Sequence, residues 1–283
     1  MRYTLSEYIK ASESIHFFIN TKMNSLSVVL VFCLAVTAYG FPNNQIVGGK
    51  DAPVGKFPYQ VSLRKNKNHF CGGSIIDSRT ILTAAHCVEG LTNLNGITVQ
   101  AGTNQLNSGG VSYVPEKVVA HSGFNSLSLV NDIALIRVNQ AISFNNLVQP
   151  IKLASGTNTY EGSSCVLSGW GTVKLNGNVP NNLQYINLLI EKQSECKKVH
   201  WRVQSSHICT FTKYGEGACH GDSGGPLVVN GVQVGIVSFG QPCAVGKPDV
   251  YTRVSSFSSW IQQHKSFLME EKSEAPADGV YIS

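Results

Sequence analysis

Short apolar or alternating runs recur along this chain, separated by Gly, Asn and Ser. They cover residues 59–63, 73–76, 80–84, 97–101, 114–120 and 134–138, then 164–169, 183–189, 225–229 and 232–239. Many short strands punctuated by turn residues predict an all-β protein, a barrel or a sandwich. Helical spacing is persuasive only near the end, over 254–267, where Phe257, Trp260, Ile261 and His264 fall on one face. Residues 268–283 are acidic and carry Pro and Gly, which predicts a disordered tail.

A 12-residue apolar run at 27–38 breaks the β pattern. It is too short for a bilayer, which takes about 20 residues. Lys22 precedes it and Ala38-Tyr39-Gly40 has the small-x-small form of a cleavage site. The reading is a secretory signal peptide over 23–40, with a signal anchor as the alternative. Residues 1–22 are an upstream extension, and Met23 is a second candidate start.

Composition narrows the class. Of 283 residues, 42% are hydrophobic and 14% charged, which is globular rather than disordered. The net charge of +5 comes from scattered residues with no basic run beyond Lys197-Lys198, which argues against a nucleic-acid partner. There are eight cysteines. Cys33 lies in the signal, and in a secreted chain the other seven point to disulfides whose pairing spacing alone leaves open.

The chemistry concentrates in Gly221-Asp222-Ser223-Gly224-Gly225-Pro226. A serine hydroxyl becomes a nucleophile when a base takes its proton and donors hold the resulting oxyanion. Small neighbours let a carbonyl approach Ser223 and let the amides of Gly221 and Ser223 converge. The candidate base is His86, in Thr83-Ala84-Ala85-His86-Cys87, because imidazole titrates near neutrality. The candidate orienting carboxylate is Asp132, in Asn131-Asp132-Ile133-Ala134-Leu135. Taken singly, each has a plain alternative: a turn serine, a core histidine, a strand-edge aspartate.

Together with Ile46-Val47-Gly48-Gly49 and Ser168-Gly169-Trp170-Gly171, and in the order His, Asp, Ser, these motifs resemble the chymotrypsin/trypsin family of secreted serine endopeptidases. The resemblance runs from Ile46 to about His264. It implies two six-stranded antiparallel β-barrels, about 46–150 and 151–253, with a C-terminal helix and a catalytic cleft between them. It implies the bridges Cys71–Cys87, Cys196–Cys209 and Cys219–Cys243. The usual partner position of Cys165 is Val229 here, so Cys165 is expected as a free thiol. It implies that Ser238 bonds Asp132, and that an amine freed at Ile46 pairs with Asp222. Residues 41–45 are then a short propeptide. Gln45 replaces the usual Arg or Lys before the isoleucine, which points away from a trypsin-like activator and toward another protease or autoprocessing.

For the substrate pocket, the resemblance assigns Gly217, followed by Ala218, to the floor and Gly240 and Asp249 to the walls, with Tyr251 nearby; Ser238 and Phe239, the latter where tryptophan is common, are further substrate-binding positions. Glycine at 217 and aspartate at 249 resemble arthropod chymotrypsins and crab-type collagenolytic proteases. Chymotrypsin-like to broad specificity follows, with some cleavage after Arg or Lys. The alternatives are trypsin-like specificity through Asp249, or a catalytically silent secreted homologue that binds. No cofactor or metal is expected: residues 90–115, the equivalent of the family's calcium loop, contain no Asp or Glu. The expected partners are protein and peptide substrates, an activating protease and protein inhibitors. The mature form is expected to be extracellular, monomeric and free of the membrane.

Overall fold

The computed structural model describes residues 46–91, 93–241 and 243–270. The expected signal peptide, propeptide and the tail beyond 270 lie outside the described residues.

Strand β1 (Lys50–Asp51) pairs far down the chain. The next seven strands curl into one antiparallel sheet: β2 (Gln60–Lys65), β3 (Asn68–Ile75), β4 (Thr80–Thr83), β5 (Ile97–Ala101), β6 (Val111–Tyr113), β7 (Pro115–Ala120) and β8 (Ala134–Val138). Their order is β6-β5-β2-β3-β4-β8-β7. The β2–β3 hairpin turns through Asn66 and Lys67, both at positive φ, the two-residue geometry that matches strand twist. Strands β4 and β8 are buried along their whole length, so neither shows the apolar–polar alternation of a half-exposed strand.

The second half contains β9 (Lys152–Leu153), β10 (Ser164–Gly169), β11 (Gln184–Glu191), helix α1 (Gln193–Val199), β12 (His207–Thr210), β13 (Pro226–Val229), β14 (Val232–Phe239) and β15 (Asp249–Arg253). The order β11-β10-β13-β14-β15-β12 closes on itself through a β11–β12 pairing, giving a six-stranded barrel. Asn230-Gly231 turns β13 into β14 with both residues at positive φ. The two-barrel expectation holds, with the first barrel a curled sheet rather than a hydrogen-bonded ring.

The expected terminal helix is helix α2 (Ser258–Glu270), preceded by a 3₁₀ turn at Val254–Phe257. It continues three residues past 267 because Leu268 extends the buried stripe of Phe257 and Ile261 into the first-half core. Residues 268–270 are thus helical rather than tail. Buried hydrogen bonds cross between the halves; among them, Ser74 Oγ donates to Gln233 Oε1 (2.6 Å), and Ser168 Oγ donates to Gln60 Oε1 (2.7 Å).

Candidate active site

Strand β4 ends at Thr83, and the chain enters a 3₁₀ turn, Ala85–Cys87, that carries His86. The Cys71–Cys87 disulfide ties this turn to β3. Asp132 follows Asn131, whose positive φ lets the chain turn sharply before β8. The Asp132 carboxylate is fully buried and satisfied by three donors. His86 Nδ1 donates to Oδ2 (2.7 Å), the His86 backbone N–H to Oδ1 (2.9 Å), and the Ser238 hydroxyl to Oδ2 (2.6 Å). The Thr252 hydroxyl holds the Asp132 carbonyl (2.7 Å). With Nδ1 occupied as a donor, Nε2 is left as the basic nitrogen.

Ser223 comes from the second barrel and is half-buried. Its hydroxyl does not hydrogen-bond His86 in this arrangement; such contacts tighten on substrate binding. Backbone pairing around it alternates. The amides of Asp222, Gly224 and Gly225 donate to Cys219, Val237 and Asp222. Those of Gly221 and Ser223 meet no acceptor among the described residues, as an oxyanion site requires. Gly221 has φ +102°, which an L side chain rarely adopts.

The Gly221 carbonyl is held by a chain that the sequence did not reveal. His69 Nε2 donates to it (2.9 Å), the Ser62 hydroxyl donates to His69 Nδ1 (2.8 Å), and Arg64 Nε donates to Ser62 Oγ (3.1 Å). Burial pushes His69 down to about 4, outweighing the upward pull of the Gly221 bond, and the nearby Arg64 charge adds a smaller downward push, so the ring stays neutral. The only signal in the sequence was one more histidine among eight.

Asp222 is fully buried. Its carboxylate accepts from Gly171 N (2.8 Å) and Cys219 N (3.0 Å) and has no cation partner among the described residues. Burial raises it to about 6. A Cβ at Gly169 or Gly171 would collide with this carboxylate, which explains both glycines of Ser168-Gly169-Trp170-Gly171. Ile46 is also fully buried, in the second-barrel core. The segment after it is seated by a bond from Gly217 N to the Val47 carbonyl (3.3 Å). A Cβ on Gly48 would lie 2.5 Å from the Gly215 carbonyl.

Beside Ser223 opens a cavity of about 190 Å³, lined among others by Ala218, Ser238, Phe239, Gly240 and Asp249. A larger one, about 640 Å³, opens between 150–155 and α2 and contains none of the catalytic candidates. Gly217 is not on the cavity wall. The Asp249 carboxylate occupies the space a Cβ at 217 would need, so the pocket carboxylate and the glycine are sterically reciprocal. Asp249 Oδ2 accepts from Ala218 N (2.7 Å), and burial raises the group to about 7, with the Asp222 charge adding to the rise. Tyr251 lies behind, fully buried, its hydroxyl 3.0 Å from Thr210 Oγ1.

Disulfides join Cys71–Cys87, Cys196–Cys209 and Cys219–Cys243, and Cys165 is a buried free thiol in the same core cluster as Val229. Among the described residues, the one His/Cys/Asp/Glu group close enough to hold a metal is Cys71, His86 and Cys87, and its two sulfurs are already bonded to each other. No helix among them is long and apolar enough to cross a membrane.

The family model for trypsin matches residues 46–261. Chymotrypsin-2 of Vespa crabro is 56% identical over 220 residues, which is 78% of this chain and all of that protein. Trypsin delta and trypsin gamma of Drosophila melanogaster are each 40% identical over 225 residues, 77% of this chain and 88% of theirs. With a chymotrypsin-like β fold and these relatives, the chain belongs to the chymotrypsin/trypsin family and is a serine endopeptidase of arthropod type.

Proposed function

We propose that this protease hydrolyses peptide bonds through an acyl-enzyme on Ser223. His86 is the general base and then the general acid, and Asp132 fixes its tautomer. The amides of Gly221 and Ser223 receive the oxyanion. The observation that carries this reading is the three-donor cradle around Asp132, which commits His86 Nδ1 as a donor and leaves Nε2 as the ring's basic nitrogen. A fluorophosphonate probe should label Ser223 and should fail on Ser223→Ala and His86→Ala. Asp132→Asn should cost roughly 10⁴ in kcat by favouring the wrong tautomer. Near-normal turnover by Ser223→Ala would sink the mechanism.

Specificity follows from the floor of the cavity. The small residues Ala218 and Gly240 on the cavity lining leave room for Phe, Tyr or Leu, whose burial contributes roughly 1.5–3 kcal/mol. Asp249 adds a carboxylate with no cation partner among the described residues, which accepts an arriving Lys or Arg. Broad, chymotrypsin-like cleavage with a basic component is the reading, and a profile confined to Arg and Lys would replace it with the trypsin-like one. The enzyme is secreted to the extracellular space as a precursor. Support comes from the apolar run at 27–38 and from three disulfides, which persist in oxidising compartments. Another protease cleaves after Gln45, and the Ile46 amine then pairs with Asp222. The mature form works as a monomer on protein substrates, open to protein inhibitors.

A further inference from the structure

The two halves of the proposed catalytic apparatus come from different barrels, so something must fix the distance between them. The backbone of Gly72 on β3 makes a contact to each. Its N–H donates to the Ser223 carbonyl at 2.7 Å. Its own carbonyl accepts from the buried Thr83 hydroxyl at 2.9 Å. Thr83 is the last residue of β4 and lies three positions before His86. One peptide segment therefore joins the backbone of the nucleophile to the strand that delivers the base.

Both sides are cut to backbone thickness at this point. A Cβ on Gly72 would lie 3.0 Å from Gly225 Cα and 3.2 Å from Gly225 N. A Cβ on Gly224 would collide with Thr83 Oγ1 and come within 2.7 Å of the Gly72 carbonyl and 3.1 Å of Cys87 Sγ. Two strand positions further on, Ser74 makes its own bond to the second barrel through Gln233. Gly73, between them, points the other way, and its Cβ would meet Ile81 Cγ2 at 3.0 Å and Val61 Cγ2 at 3.1 Å, both in the first-half core.

We propose that Gly72 and Thr83 are positioning residues for catalysis: the Thr83–Gly72–Ser223 hydrogen-bond chain sets the separation of Ser223 and His86 across the barrel interface. Neither residue touches substrate. A nucleophile loop pushed outward by a methyl group at 72 stays attached to its pocket but loses its alignment with His86. A displacement of about 1 Å at a reacting group costs on the order of 10² in rate.

The inference rests on Ser223 and His86 acting as nucleophile and base, and its test is separable from theirs. The activated enzyme is compared with Gly72→Ala, Gly73→Ala, Thr83→Val, Thr83→Ser and Ser223→Ala, measuring kcat, KM and fluorophosphonate labelling rate below each variant's melting temperature. Gly72→Ala should lose roughly 10-fold or more in kcat and in labelling rate, with KM little changed. Gly73→Ala, equally crowded but facing the first core, should melt earlier and keep its kcat. Thr83→Val should show the same kcat-selective loss, and Thr83→Ser, which restores the hydroxyl, should recover it. This arm carries the test if Gly72→Ala does not fold. Activity surviving in Ser223→Ala would overturn the mechanism itself. An inactive Ser223→Ala beside normal kcat in both Gly72→Ala and Thr83→Val would overturn this inference alone. So would a kcat loss in Gly73→Ala as large as in Gly72→Ala.

Discussion

At the residue scale, Asp249 has the most to say about substrates, because its charge is conditional. Burial holds its carboxyl near 7 rather than in the usual carboxylate range. Below that pH the floor of the cavity is a neutral acid; above it, an anion. An aromatic side chain gains nothing from the anion, whereas a lysine or arginine does. The ratio of kcat/KM for basic over aromatic substrates should therefore climb with pH. It should rise by about tenfold between pH 6 and pH 8, the change in ionised fraction for a group titrating near 7. Taking the ratio cancels whatever His86 and the Ile46 amine do to both substrates alike. Asp249→Gly should flatten the curve and spare aromatic cleavage. A flat ratio in the parent enzyme would mean that the carboxylate never meets the substrate. The sequence suggested this carboxylate from its motif position. It could not reveal that Gly217 is glycine because Asp249 already fills the space, since that depends on two strands meeting in three dimensions.

At the scale of elements, what was legible followed from burial. Strands β5, β8, β10 and β14 lie where the apolar runs predict, because each is packed on the core along most of its length. The illegible elements are short or polar. Strands β1 and β9 are two residues each, and α1 is seven residues with only Cys196 buried, too few for a 3.6-residue period to register. Strand β15 carries no apolar run in its sequence, Asp-Val-Tyr-Thr-Arg, which sets only Val250 and Tyr251 between polar residues. The β2–β3 hairpin also carries the chain from Arg64 through Ser62 to His69, and this makes a measurable claim. In the folded protein His69 titrates near 4, below its ordinary value of 6.5. Between those values the unfolded chain binds a proton that the native hairpin refuses, so acid favours unfolding. The stabilising contribution is complete above pH 6.5 and is lost as pH falls toward 4. It amounts to roughly 3 kcal/mol at most. His69→Gln keeps a donor for the Gly221 carbonyl without the titration. Urea unfolding should show wild type losing more stability than His69→Gln over that window, and parallel losses would contradict the neutral-imidazole assignment.

At the scale of the whole molecule, the proposed activation turns on Asp222, and here chain cleavage becomes a question of charge. In the intact chain this carboxylate is buried with two backbone donors and no cation among the described residues, and it titrates near 6 instead of near 3.8. A raised acid in the native state means that stability present at low pH is lost as pH rises through about 6. The loss is roughly 3 kcal/mol for a shift of about two units. Under the proposed activation, cleavage before Ile46 supplies an ammonium that removes this penalty, so the cleaved form should gain on the intact form as pH rises from 4 to 7. The gain should persist until the amine itself deprotonates, above the 7.7–8.0 of a free α-amine because the ion pair holds its proton. Activity should decline over that same alkaline range. The measurement is urea unfolding of a chain beginning at Ile46 beside one in which residues 41–45 are retained and made uncleavable. Asp222→Ala should erase the pH-dependent difference. In the cleaved form it should also cost roughly 3–5 kcal/mol, since an ammonium is left buried alone. Stability curves that run parallel for the two chains, or an active form whose sequence begins at Phe41, would detach activation from Asp222 and leave its burial unexplained.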